Sequence, residues 1–496
     1  MKTMEWETLL SNERLGGELV IDKKTEEIYP RTDFEKDYKR IISSASFRRL
    51  QDKTQVFPLD KSDFVRTRLT HSYETSVIAK MMGNMLASGE KYALEDIDSE
   101  LKSRIPDILA CAGLLHDIGN PPFGHFGEDV IRNWFKHKLK KYFILDERTQ
   151  QKMSLDEILK ARHIKDLQNF DGNAQALRLL TKLHFQDGIC GMNLTVSVLN
   201  SLVKYPAKSE EVGTAGSLLK KKMGYTDADS DVYERITEIT EAKGVRHPLA
   251  YILEAADDIA YKTADIEDAV KKGLLDVNQL LNCEKEYIEA TTNYDISKMK
   301  DLFDRLQDIY DKAIDKEVNN PHVYAIRNWI PYAQEWLMYC AVYGFWRNKE
   351  EIMTGTYNYD LFKGTYHEAT VKFIDTVMSK YIFINKDIVK LELSADTILT
   401  NLLDKFIEAV IYHDKVYTSE DNVEIKAYKK LYMLISENYC DAYKKAKKIF
   451  EDNTTDENEK KEYDIYLRLL LVVDFISGMT DSYAKRLYQE LNGFSF

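Results

Sequence analysis

Leu114-Leu115-His116-Asp117-Ile118-Gly119-Asn120-Pro121-Pro122-Phe123-Gly124-His125-Phe126-Gly127-Glu128 ends an apolar run on an adjacent His-Asp pair. A Gly/Pro-rich turn follows, carrying a second His and a Glu. Imidazole nitrogen and carboxylate oxygen together suit a borderline divalent metal, and a His just beyond them can handle protons. The combination points to metal-assisted hydrolysis. A His beside an Asp is also a common structural hydrogen-bonded pair, so the reading depends on what the rest of the chain supplies.

Two further segments supply it. Arg66-Thr67-Arg68-Leu69-Thr70-His71-Ser72-Tyr73-Glu74 opens a pattern of Val77, Ile78, Met81, Met82 and Met85 with helical period, which places His71 in the first turns of a helix. Leu253-Glu254-Ala255-Ala256-Asp257-Asp258-Ile259-Ala260-Tyr261-Lys262-Thr263-Ala264-Asp265 is Ala-rich and reads as another helix. Asp257, Tyr261 and Asp265 recur four apart and share one of its faces. That stripe is compatible with solvation, and Tyr261 with core packing. Beside His71 and His116-Asp117, it offers the fourth ligand.

The chain resembles the HD-domain phosphohydrolases, and within them the deoxyguanosine triphosphate triphosphohydrolases. The resemblance rests on Arg48-Arg49-Leu50-Gln51-Asp52-Lys53-Thr54-Gln55-Val56-Phe57-Pro58-Leu59, Arg66 to Ser72, His116 to Glu128 and Phe170-Asp171-Gly172-Asn173-Ala174-Gln175. It continues through Lys204-Tyr205-Pro206, Glu254 to Asp268 and Asp474-Phe475-Ile476-Ser477-Gly478-Met479-Thr480-Asp481. These blocks keep the family's order over nearly the whole chain.

The resemblance implies an all-α fold, with an HD metal-dependent phosphohydrolase core, an N-terminal cap and a helical C-terminal extension. It implies His71, His116, Asp117 and Asp257 as metal ligands, Asp257 being preferred to Asp258 because it keeps the spacing to Tyr261 and Asp265. The metal would be Mn2+, Mg2+ or Co2+. His125 would be catalytic, as acid, base or nucleophile, with Glu128 as its acidic partner. Gln55, Tyr261 and Asp265 would contact the sugar, Arg68, Lys204 and Tyr205 the phosphates, and Asn173 a further part of the substrate. Asn120 stands where some other HD enzymes carry a second His, which favours the deoxyguanosine branch and a single essential metal. The implied reaction is hydrolysis of a deoxynucleoside triphosphate, preferably dGTP, to deoxynucleoside and inorganic tripolyphosphate. A homo-oligomer, tetramer or hexamer, is implied, with single-stranded DNA or a nucleotide as effector in some members.

Composition agrees with a helical protein. The 496 residues include only nine prolines and 21 glycines, with long Leu/Ile/Lys/Glu-rich stretches. Five cysteines, Cys111, Cys190, Cys283, Cys340 and Cys440, have no paired spacing, so no disulfide framework or zinc ribbon is indicated. Met1 to Glu7 lacks an apolar signal core, and the run near Leu469 to Val473 is too short to span a bilayer, which predicts a soluble cytoplasmic protein. A net charge of −13 gives no general attraction to nucleic acid or anionic lipid. Lys136 to Lys141 and Lys220-Lys221-Lys222 are expected to be solvated helix faces.

Three regions are expected. Residues 1–65 form a cap, with a hairpin at Glu18 to Tyr29 and a helix at Arg40 to Leu50 that feeds the Gln55 loop. Residues 66–272 form the metal core, interrupted by a polar insertion around Lys208 to Asp231. Residues 273–496 read as amphipathic helices integrated with that core, with a solvent loop at Glu451 to Glu459 between two of them. By the resemblance, base selection falls to Tyr381 to Leu403 and Ala427 to Lys430, which match weakly. Competing readings are an HD phosphohydrolase of another nucleotide, such as a broad deoxynucleotidase or nucleotidase, and a nonenzymatic nucleotide or single-stranded DNA sensor. A degenerate sensor would have lost a ligand or the catalytic pair, and this chain keeps them. No Gly-rich phosphate loop ending in Lys-Ser/Thr is present.

Overall fold

Two long helices carry the metal-ligand candidates toward each other and set the plan of the structure. In the computed structural model the described residues are 3–17, 31–55, 66–88, 91–95, 97–145, 151–184, 191–213, 217–291, 294–381, 386–414 and 423–494. Helices account for almost all of the regular structure among them, so the fold is all-α.

Helix α1 (Asp33–Ile42) starts at a capping box, in which Thr32 and Glu35 satisfy each other's backbone N–H groups. The helix expected over Arg40 to Leu50 is divided. Ser44 accepts a hydrogen bond from the Phe47 amide and starts a new helix at Ala45–Arg49, as serine does more readily at a cap than inside a helix. Helix α2 (Arg68–Ser88) then packs along α3 (Ser99–Leu115). They approach closely at Gly113, where an added Cβ would lie 2.5 Å from Ser76 Cα. A side chain there would push the two backbones, and the two candidate ligand histidines, apart.

Helix α4 (Gly124–His137) follows the Pro-Pro turn. The chain continues through α5 (Gly172–Arg178) and α6 (Val196–Leu202) to α7 (Pro248–Lys271), which rests on both α2 and α3. Pro248 opens α7 at a position that needs no N–H donor, and the His247 ring accepts from the Leu249 amide as its cap. Beyond it lie α8 (Ser297–Asp315), α9 (Pro321–Arg347), α10 (Lys386–Tyr412), α11 (Glu437–Asn453), α12 (Glu457–Ser477) and α13 (Asp481–Leu491).

One apolar core joins residues from Met4 through α2, α3 and α4 to α10 and α12, with Leu402, Phe406, Leu469 and Val473 inside it. A smaller cluster sits where the C-terminal half of α7 meets α8 and the first half of α9, around Phe303, Trp329 and Phe373. The hairpin expected at Glu18 to Tyr29 lies outside the described residues. The sheet among them is a two-stranded antiparallel pair, Phe143–Leu145 with Lys152–Ser154, set by Ile144 opposite Met153. The acidic stretch at Glu451 to Glu459 belongs mostly to the ends of α11 and α12, leaving a loop at residues 454–456. No helix among the described residues is long and apolar enough to cross a membrane.

Candidate active site

At one point α2, the end of α3 and α7 bring four side chains together. His116 Nε2 lies 3.3 Å from His71 Nε2 and 3.2 Å from Asp257 Oδ1. His71 Nε2 is 3.1 Å from the same oxygen, and Asp117 Oδ2 is 3.6 Å from His116 Nε2. Both histidines are buried. The His116 Nδ1 atom is 2.8 Å from the Gly113 carbonyl, so it donates there and leaves the Nε2 lone pair facing the cluster. This is the tautomer that a metal ligand needs. Burial disfavours an imidazolium at His116, yet Asp257 and Asp117 outweigh it and raise the pKa. Burial likewise opposes a charge on Asp117, but Arg68 and the two histidines hold that carboxyl below the usual range. The cluster therefore draws positive charge to its centre, and its mixed N/O donors fit a divalent cation.

A cavity of about 620 Å³ opens over this cluster. Arg68, Arg132, Lys204, Lys221 and Lys222 line it. Lys204 Nζ is 2.9 Å from Asp257 Oδ2, and an Arg68 nitrogen is 2.5 Å from Asp117 Oδ2. Gly124 makes room for that guanidinium: an added Cβ would lie 2.5 Å from it, and the residue's φ of +60° is itself costly for other side chains.

His125 is the second residue of α4 and so belongs to a helix, where the sequence reads as a flexible turn. Phe123 causes the difference. Its left-handed φ of 62° turns the chain sharply out of Pro121-Pro122 and starts the helix one residue before His125. The His125 Nδ1 atom is 3.1 Å from Glu128 Oε2. Glu128 is buried and serves more groups than its histidine. Its other oxygen accepts the Gly172 amide at 2.7 Å, and Arg132 and Lys222 approach to 3.6 and 3.8 Å. Burial opposes the charge on Glu128, but the His125 hydrogen bond, Lys222 and the Gly172 amide bring its pKa down to about 2.

Gln55, Asn173, Tyr205 and Tyr261 also line the cavity. Asp265 is one helical turn beyond Tyr261, only 2% exposed, and is not part of the lining. Its Oδ2 and the Gln55 Oε1 are buried without a hydrogen-bond partner. The short segment leading to Gln55 is tied from far along the chain. Asp481 accepts from the Thr54 amide at 3.0 Å and hydroxyl at 2.5 Å with one oxygen, and from the Phe123 amide at 2.9 Å with the other. Lys53, fully buried, donates to the carbonyls of Asn120 and Ser477 at 2.5 and 2.8 Å. Burial pushes the Lys53 pKa down to about 7.

Sequence reasoning missed two parts of this site. Lys221 and Lys222 do not lie on a solvated helix face: both line the cavity, and Lys222 pairs with Asp171 at 2.7 Å. A run of lysines carries no mark of its distant partners, and Asp171 and Glu128 precede it by many residues. Glu392 and Ala395 of α10, within the Tyr381 to Leu403 stretch expected to select the base, close another side of the cavity. Asp258 lines it as well, and burial pushes its pKa up to about 7. Its adjacency to Asp257 hid it behind the metal reading.

Comparison with known proteins agrees with this geometry. An HD domain matches residues 68–182, and a phosphohydrolase-associated domain matches residues 410–490. A deoxyguanosinetriphosphate triphosphohydrolase-like protein of Listeria monocytogenes is 42% identical, the match covering 99% of this chain and 100% of that one. A like-named protein of Synechocystis is 30% identical over 99% of this chain and 100% of its own length. A deoxyguanosinetriphosphate triphosphohydrolase of Yersinia enterocolitica is 31% identical over 92% and 93%. With His71, His116 and Asp117 inside the HD match and the likeness running end to end, the chain belongs to the deoxyguanosinetriphosphate triphosphohydrolase family of HD-domain phosphohydrolases.

Proposed function

We propose that this protein hydrolyses a deoxynucleoside triphosphate, with dGTP preferred, to deoxynucleoside and inorganic tripolyphosphate. The observation that carries the reading is the concentration of five cationic side chains around the His/Asp cluster in a chain of net charge −13. A triphosphate has the charge to match them, and arginine and lysine are the usual phosphate partners.

His71, His116, Asp117 and Asp257 would hold the divalent cation. Such an ion supplies charge neutralisation at phosphoryl oxygens and a water of lowered pKa. Arg68 and Lys204 sit at the ligand carboxylates, where they would take the phosphate oxygens nearest the reacting phosphorus. Lys221, Lys222 and Arg132 would hold the rest of the chain of phosphates. Because Glu128 stays ionised, His125 keeps its proton on Nδ1 and uses Nε2 toward the substrate. In the proposed step the oxygen of a water bonds to the α-phosphorus as the bond from phosphorus to the sugar O5′ breaks; His125 Nε2 takes up one proton of that water and gives it to O5′, and the remaining proton leaves with the tripolyphosphate or to solvent.

Buried polar atoms without partners cost about 1–3 kcal/mol each and are retained where a ligand satisfies them. Gln55 Oε1 is such an atom in a cavity wall that also holds Tyr261, which suits the 3′-hydroxyl of a deoxyribose; Asp265 lies behind that wall and would act through its neighbours. Tyr261 packed under the 2′-carbon would exclude a ribose by contact. Guanine presents its N1–H and 2-amino donors side by side, a pair that one carboxylate accepts together, and Glu392 offers that carboxylate at the α10 wall. The test is to incubate the metal-loaded protein with each deoxynucleoside and ribonucleoside triphosphate and identify the inorganic product. Pyrophosphate in place of tripolyphosphate, or equal turnover of ribonucleotides, would overturn this reading.

A further inference from the structure

A second cavity, about 360 Å³, lies where the start of α11, the end of α12 and the beginning of α13 meet the Ala45–Arg49 helix. Two guanidiniums, Arg49 and Arg486, line it together with the hydroxyl-bearing residues Ser436, Tyr439 and Thr480. No carboxylate is in that lining, although the chain carries 82 acidic residues against 69 basic ones. Arg49 donates to Ser46 Oγ at 3.1 Å and forms no ion pair among the described residues. Arg486 approaches Glu490 only to 3.9 Å.

Tyr439 gives an independent sign that something is missing. It is 6% exposed, and its hydroxyl is buried without a hydrogen bond. Burial pushes the phenol up, and the neighbouring Arg49 guanidinium offsets only part of that effect. An unpaired buried hydroxyl next to a guanidinium with no acid is a donor pair waiting for an oxyanion. Leu434, Phe475 and Met479 supply an apolar wall on which the rest of a small molecule can rest.

We propose that this cavity binds the phosphoryl group of a small molecule. The guanidinium of Arg49 and the hydroxyls of Tyr439, Ser436 and Thr480 donate to the phosphoryl oxygens, while Arg486 closes the charge from the exposed side. Occupancy is linked to the substrate cavity through both walls. Arg49 leads into the turn that carries Lys53 and Thr54, and Thr480 precedes Asp481, which holds Thr54 and Phe123. The linkage rests on the nucleotide-hydrolase reading above; the binding does not.

Titration calorimetry of the full chain with inorganic pyrophosphate tests the site directly. The expected isotherm has a component that Arg486→Glu and Ser436→Ala each weaken about tenfold or more, beside the component from the substrate cavity, which both variants keep. Arg486 is exposed, so its variant should fold and should retain wild-type turnover in the absence of added anion. Repeating the titration with orthophosphate and with adenosine 5′-monophosphate separates the sources. Tighter binding of the nucleotide at the Arg486-sensitive site identifies a nucleoside phosphate, and equal binding identifies free phosphate. An isotherm unchanged by both variants would mean that only the substrate cavity binds, and the proposal would fail. Product analysis reads the hydrolase assignment separately, so the two can fail independently.

Discussion

His116 has both ring nitrogens committed, one to the Gly113 carbonyl and the other to the ligand cluster. Its replacement by alanine, or that of Asp117, should therefore abolish bound divalent metal and turnover together, as read by elemental analysis and product assay. Full metal occupancy in both variants would remove them from the ligand set. His125 lies outside that set, eight residues past Asp117, and should behave differently. His125→Ala should keep its metal and its nucleotide affinity while turnover falls about 10²- to 10⁴-fold, the usual worth of general acid-base help. A variant retaining a tenth of wild-type turnover would leave the histidine without a proton-transfer role. Glu128 cannot be read as simply, because it also accepts the Gly172 amide. At the other wall of the cavity, Glu392→Gln should lower kcat/KM for dGTP more than for dATP, since an amide presents one acceptor where a carboxylate presents two. Equal losses on both nucleotides would place guanine recognition elsewhere.

The short segment from Lys53 to Gln55 is held by α13 and by the end of α12, not by its neighbours in sequence. Asp481→Asn replaces one carboxylate oxygen by an amide donor, and the Thr54 or Phe123 amide then loses its acceptor. A buried donor left unpaired costs about 1–3 kcal/mol, which urea denaturation can measure. Metal content should not change, whereas KM for the nucleotide should rise, because Gln55 rather than the ligand cluster is released. Loss of metal with unchanged KM would show that Asp481 acts on the ligand turn alone. The helix-borne half of the site was legible because helical period alone puts His71 at the start of α2 and Asp257 and Tyr261 on one face of α7. The Asp474 to Asp481 block was recognisable as a motif, but its use was not, since Asp481 meets Thr54 across 427 residues. Lys222 was hidden for the same reason. Its partners Glu128 and Asp171 belong to α4 and to the cap of α5, and nothing local distinguishes it from a solvated lysine.

Across the whole molecule, one buried histidine makes a readable contribution to how the fold responds to acid. His247 accepts from the Leu249 amide with Nδ1 and donates to the Leu9 carbonyl with Nε2, so it joins the N-terminal segment to the start of α7 only while neutral. Burial lowers its pKa from the ordinary 6.5 to about 4. The unfolded chain takes up a proton below about pH 6.5 that the folded chain refuses until about pH 4. Stability from this group is therefore full above pH 6.5 and is lost as the pH falls through that window. At about 1.4 kcal/mol per unit the loss totals about 3 kcal/mol by pH 4. His247→Asn keeps a capping side chain but does not titrate, so the wild-type advantage over it should shrink between pH 7 and 5 in chemical denaturation. Parallel curves would show that His247 is not the sensitive group. The bond between Thr54 and Asp481 has a different kind of consequence, for timing during synthesis. A nascent chain has all four proposed metal ligands once Asp257 has been made, yet its Gln55 segment and the turn at Phe123 still lack their anchor. A ribosome must add more than two hundred further residues before Asp481 arrives. Growing chains should consequently stay inert toward the nucleotide pool until translation is well advanced.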